Sequence, residues 1–142
     1  GKTVVARIQP GQSLLSAIEE LLKKHEIKSG YIPVIHGCFS DCTILTVEEN
    51  PDCPGDPKDV EISFDEPLVY SGNGTIAEEE DGKPFIHLHP TISKKDGIAY
   101  VGHLIEATVL LTTEIVIVEV LGMKINRKPA PEVHDIILLN VE

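Results

Sequence analysis

Residues 108–121 read TVLLTTEIVIVEVL, and the fold turns on how they are taken. Almost every position is β-branched or leucine. Such side chains are stiff in a helix and fit a pleated surface, so the stretch predicts a strand. It is apolar on more than one face. Together with HDIILLNV near the C-terminus, it offers more apolar strand surface than a single helix can cover. A second sheet layer or neighbouring subunits must bury the rest.

Working outward, strand signals dominate. TVVARIQ alternates and reads as a first strand, broken by Pro10-Gly11. YIPVIHG and CTILTVE are two short β-rich runs with a turn expected at Ser40-Asp41. ENPDCPGDPKD, with three prolines and a glycine, reads as a flexible loop. VEISF and PLVYSGNGTIAEE follow. Asp81-Gly82 marks a hairpin turn into PFIHLHPTI, and KKDG a second turn into IAYVGHLIEA. VHDIILLNV closes the chain.

One segment is helical. In SLLSAIEELLKKHEI, Leu14, Leu15, Ile18, Leu21 and Leu22 recur at helical spacing. Ser13 is placed to cap it, and Gly30 to supply a left-handed stop. One main helix with eight or more strands describes a single compact α+β domain over residues 1–142, built on a largely antiparallel sheet.

Composition narrows the function. Twenty-three acidic against twelve basic residues give a formal charge of -11. DNA binding draws on phosphate neutralisation by Lys and Arg, so autonomous nucleic-acid binding is disfavoured. The acidic excess favours cations and is expected to hold nearby histidines towards protonation. No apolar run approaches membrane-spanning length, and GKTVVARIQP has no signal-peptide pattern; the expectation is a soluble, cytoplasmic protein. Three cysteines, Cys38, Cys42 and Cys53, fit a reducing compartment and read as buried thiols, with a metal or redox role as the alternative.

HLHPTISKKDGIAYVGHL, residues 87–104, carries three of the six histidines. On a strand, His87 and His89 point the same way with Cα atoms about 6.5–7 Å apart. Two imidazoles can then converge on one ion at about 2.0–2.1 Å each. Hairpin pairing across KKDG is expected to bring His103 alongside, with Gly102 leaving room for a backbone or a ligand. Ile86 and Leu88 face an apolar layer on the other side. Three neutral histidines without a fourth protein ligand make an open site suited to zinc, where a bound water acquires a pKa near ~7. A half-exposed polar stripe is the competing reading. His25 lies at the helix end, where the dipole favours a cation, and His36 and His134 read as sheet-edge or packing residues.

The same H-x-H…G-H-L pattern resembles the signature of the plant-and-prokaryote-conserved (PPC) domain family. So does the order around it: PGQSL, IHGCFSDCTI, SGNGTIAEEEDGKPFIHLH, TTEIVIVEV and a late INRK. The resemblance implies a compact α+β domain, a homotrimer, and His87, His89 and His103 as metal ligands. Departures matter. There is no basic AT-hook, DEPLVY stands where plant members carry G-R-F-E-I-L, and YVGHL replaces the commoner glycine-glycine form. DNA and transcription-factor binding are therefore not implied. The chain is also distantly similar to acetolactate decarboxylase, which uses an H-x-H…H zinc site with charged helpers. Glu66, Glu106 and Arg127 are the candidates for such helpers here.

Three functions compete: a trimeric zinc-binding module with a regulatory, ligand- or partner-binding role; a zinc-dependent lyase or hydrolase acting on a small hydroxy- or oxo-acid; and a DNA-binding protein. A small carboxylate ligand distinguishes the second, and salt-dependent duplex affinity the third.

Overall fold

A computed structural model describes residues 1–142. Its elements in chain order are β1 (Thr3–Ile8), α1 (Leu14–His25), β2 (Gly30–Glu48), β3 (Lys58–Phe64), β4 (Leu68–Glu78), β5 (Pro84–Ser93), β6 (Ala99–Val101), β7 (His103–Glu119), β8 (Ile125–Ala130) and β9 (Ile136–Val141). A short 3-10 turn, Pro131–Val133, links the last two. The sheet runs β1-β7-β2-β4-β5-β6, with β3 on β2 and the β8–β9 hairpin attached at β4. Every strand pairing is antiparallel except a single parallel bridge, Glu78 to Asn126. The α+β reading therefore holds.

The opening stretch is the second half of β7, and its alternation is expressed as burial. Val109, Thr113, Ile115 and Ile117 are buried, whereas Glu114 between them is exposed; Leu111, at 65% exposure, is the one departure on the buried face. The helix lays Leu14, Ile18 and Leu22 into the core with Ile8, Ile35, Ile44 and Leu88. Each such side chain contributes roughly 1.5–3 kcal/mol on leaving water. Inside this layer Phe39 stacks on Tyr70 at 3.7 Å, and the Tyr70 hydroxyl shares a 2.7 Å hydrogen bond with Thr113.

Three local expectations are corrected. There is no turn at Ser40-Asp41: YIPVIHG and CTILTVE belong to one continuous 19-residue strand. The register shifts there instead, on either side of Phe39. Ser40 Oγ donates to the Asp41 carboxylate at 2.9 Å, and Thr108 Oγ1 donates to it at 3.1 Å, so the neighbouring strand supplies the partners a turn would have left to water. Gly30 is not the helix stop. Glu26 takes the left-handed position at φ 55, and Ile27 N–H returns to Leu22 O at 2.9 Å. Gly30 begins β2, where a Cβ would meet Val118 O at 2.4 Å. Ser13 occupies the N-cap position, but its side chain makes no capping hydrogen bond. The turns at Asp81-Gly82 and KKDG form as expected, with Gly82 and Gly97 both at positive φ. One element was missed, because INRKPA forms β8 despite its polar residues and proline.

Candidate metal centre

The three histidines of HLHPTISKKDGIAYVGHL converge. His87 and His89 lie on β5 opposite Thr75 and Asn73 of β4, on one face of the strand. On the other face Ile86 and Leu88 are 8% and 0% exposed, as the alternation requires. The two Nε2 atoms are 3.0 Å apart. Nitrogens held at about 2.0–2.1 Å around a tetrahedral ion stand roughly 3.3 Å from one another, so this spacing suits a shared ion. His103 completes the set, its ring centroid 5.0 Å from that of His87 and 5.8 Å from that of His89. One ligand atom from each residue lies within 4.8 Å of the others.

The turn at KKDG carries His103 back towards β5, as the spacing predicts. The hairpin across KKDG pairs β5 with β6 and ends at Val101. Gly102 then breaks the strand, and His103 opens β7 paired to Leu45 of β2. The hairpin register, Thr91 to Val101, carried on by two residues puts His103 opposite His89, while its backbone pairs to β2. The space left by Gly102 is taken by backbone, since a Cβ there would meet Leu45 O at 2.6 Å. Gly74 has a similar role on β4. A Cβ on it would sit 2.3 Å from the carbonyl oxygen of His87. The glycines of SGNGT thus let β4 run close beneath the histidine strand, a signal present in the sequence but unread there.

The site disfavours protonation of His87 and His103. His87 is pushed down to about 4, first by desolvation, then by the Arg127 cation and the other two imidazoles. His103 is lowered by burial, then by His89 and Arg127, with Asp59 opposing. This reverses the expectation that the acidic surface would hold such histidines towards protonation: partial burial and a nearby cation outweigh diffuse charge. Neutral imidazoles are the form that binds metal.

Arg127, one of the three helper candidates, lies beside the triad. It is 4% exposed, its guanidinium stacks 4.7 Å over the Phe85 ring, and its Nη2 donates to Thr75 Oγ1 at 3.2 Å. Nε is buried without a partner. Phe85 in turn stacks on His103 at 6.3 Å. Glu66 is paired with Lys94 at 3.3 Å, at the β3–β4 connection. Glu106 stands exposed on β7 opposite Thr43. The acidic groups whose charge reaches the site are instead Asp59, acting on His103, and Glu79, acting on Arg127. Neither stands out in sequence, because both come from other strands or turns. A cleft of about 450 Å³ opens beside His87 and His89, lined also by Tyr31, Pro33, Asn73 and Thr75.

The remaining histidines lie elsewhere. His36 is not at a sheet edge but in central β2, exposed and 3.4 Å from Glu114. His25 ends the helix, where its carbonyl accepts from Lys2. His134 is exposed and does not pack in the core.

With this geometry in place, the comparison with known proteins is direct. The sequence pattern of the Plants and Prokaryotes Conserved (PCC) domain matches residues 1–121. The chain belongs to that family. Among solved structures, a plant- and prokaryote-conserved (PPC) protein of Pyrococcus horikoshii superposes with a TM-score of 0.79 at 29% identity, over 92% of this chain and 86% of that one. A protein of Archaeoglobus fulgidus described as metal-containing gives 0.81 at 26%, over 97% and 94%. Acetolactate decarboxylase of Bacillus subtilis shares the fold at a TM-score of 0.60 and 17% identity, over 83% of this chain and 52% of that enzyme. By sequence, the bifunctional protein GlmU of Synechococcus sp. (strain JA-3-3Ab) is 24% identical over 126 residues; the match takes in 88% of this chain but only 18% of that protein. No helix of this PPC-family chain is long and apolar enough to cross a membrane.

Proposed function

We propose that this chain is a homotrimeric zinc-binding module whose His87, His89 and His103 hold the ion and whose role is regulatory, through a ligand or partner presented to that ion. The observation that carries it is the convergence of three imidazoles, with one ligand atom from each within 4.8 Å of the others. Zinc is favoured because an all-imidazole donor set suits borderline ions better than magnesium or calcium. Arg127 argues for the ligand's class. A buried guanidinium with an unspent N–H, next to an ion, favours an anion, and a small carboxylate fits both. The trimer is supported by the family resemblance and by Ile136, Ile137, Leu138, Leu139 and Val141, all 40–56% exposed on β9. The formal charge of -11 leaves duplex DNA unbound at physiological salt.

The same Arg127 favours one alternative, a zinc-dependent lyase or hydrolase acting on a small hydroxy- or oxo-acid. An ion in this site would polarise the substrate's oxygen atoms. Arg127 would hold the carboxylate, and Glu66 or Glu106 would have to move towards the triad to exchange protons.

The test is elemental analysis of untagged protein beside His89→Ala, with light scattering for mass. His89→Ala should hold one zinc per chain fewer than the native protein, and a mass three times 15.5 kDa is expected. Full metal content in His89→Ala would overturn the site. Thermal stabilisation of the zinc form alone by a 2-oxo or 2-hydroxy acid, followed by its turnover, would select the enzyme.

A further inference from the structure

A second set of metal-ligating side chains shares no residue with the triad. Cys53 and Asp56 lie in the β2–β3 loop, and His134 follows the 3-10 turn between β8 and β9. One ligand atom from each lies within 4.8 Å of the other two. They are 81 residues apart at the extremes, so their meeting is tertiary, and His134 lies beyond the stretch that the family pattern matches.

The loop is built to hold its two ligands on one turn. Cys53 N–H donates to Asn50 O at 3.2 Å, Asp56 N–H to Cys53 O at 3.1 Å, and the Asn50 side-chain amide to Asp56 O at 2.9 Å. Gly55 provides the positive φ of 93 that the turn requires. On the other side, His134 and Asp135 take consecutive left-handed conformations at φ 58 and 59, uncommon for residues with a Cβ. Asp135 N–H, bonded to Ala130 O at 3.0 Å, holds that corner. Cys53 and Asp56 are half-buried, and the cysteine is free. None of the three side chains makes a hydrogen bond or ion pair within the protein, so all three donor atoms remain available.

A thiolate, a carboxylate and an imidazole bring two negative charges, which balance a divalent ion. The sulfur selects zinc-like ions over magnesium or calcium. The position of the ligands also suggests a purpose. The β8–β9 hairpin is attached to the sheet through one bridge, Glu78 to Asn126, yet it carries Arg127 into the histidine site. An ion bound by Cys53, Asp56 and His134 would tie the far end of that hairpin to the β2–β3 loop.

We propose that Cys53, Asp56 and His134 form a second, thiolate-containing zinc site that clamps the β8–β9 hairpin to the body of the domain. The experiment is titration of the chelator-stripped full chain with cobalt(II), which reports sulfur ligation through a near-ultraviolet charge-transfer band. The band should saturate within two equivalents in the native chain, where the triad also takes up the ion, and at one equivalent in the His87→Ala/His89→Ala double variant, and it should disappear on adding zinc. It should persist in the His87→Ala/His89→Ala double variant and be lost in Cys53→Ser and in His134→Gln. In the double variant, zinc should slow amide exchange over residues 125–141 at least tenfold, and it should not do so in Cys53→Ser. Far-ultraviolet dichroism of each stripped variant checks that the fold persists. No sulfur band in the native chain, or an undiminished band in Cys53→Ser, overturns the site. A band without slower exchange in the hairpin overturns the clamp.

Discussion

Strands β5 and β9 are both apolar β-runs next to functional residues, yet they solve burial in opposite ways. In β5, Ile86, Leu88 and Ile92 are 0–8% exposed on one face, and the other carries Phe85, His87 and His89. In β9, Ile136 to Leu139 are all 40–48% exposed, whichever way they point. The difference lies in neighbours. β5 has β4 and β6 as partners and the core beneath it, whereas β9 has only β8. An apolar pattern specifies a strand, but only the surrounding layers decide whether that strand becomes core. The histidine pair is held by a strand whose other face cannot leave the core. Arg127 is held by a hairpin that needs something more.

The sharpest test of this contrast is a matched pair of substitutions. Leu88→Ala should cost about 3 kcal/mol in urea unfolding, the usual loss for a fully buried leucine. Ile136→Asp/Leu138→Asp, on the face opposite Arg127, should leave the fold of the single chain intact and reduce the mass in solution from three chains to one. A double variant that stayed fully assembled would mean that β9 is not the covered face.

A smaller effect tests how tightly the histidine strand is held. Gly74→Ala puts a methyl 2.3 Å from the His87 carbonyl oxygen and should destabilise by about 2 kcal/mol through overpacking. Zinc affinity should fall with it, because β4 must move away from β5. Gly82→Ala in the open turn meets no neighbouring atom, so its penalty is only the positive φ of 82. Calorimetry of both variants separates close approach from turn strain.

The pH dependence is next. The unfolded chain takes up a proton at His87 near its ordinary 6.5, while the folded site resists until about 4. The unfolded state therefore binds more protons in that window, and the metal-free protein should lose stability as pH falls from about 6.5 to about 4. His87→Gln should flatten the slope. The least perturbing test concerns the core thiol. Burial, then Asp41, pushes Cys42 up to about 12, so at pH 8 it should alkylate far more slowly than half-buried Cys38 and Cys53, read by mass spectrometry of labelled peptides.

Much of the molecule was legible from local pattern. The helix, the hairpin turns at Asp81-Gly82 and KKDG, and the shared face of His87 and His89 follow from spacing and turn chemistry that involve only near neighbours. Ser40-Asp41 misled because two turn-favouring residues are read by composition, whereas their partner, Thr108, comes from β7. β8 was missed because INRKPA has no alternation of its own and acquires its strand form by pairing with Ile136–Val141.

The sequence by itself determined which residues could ligate a metal, most of the runs that would be strands, and that one helix could not cover all of their apolar surface. These are consequences of side-chain chemistry and of periods of two and 3.6 residues, which a chain carries without knowing its partners. Tertiary structure alone decided that Arg127 rather than an acidic residue stands against the triad, and that Cys53 meets His134. Those juxtapositions depend on strand order and on which glycines let backbones approach, and no local period encodes either.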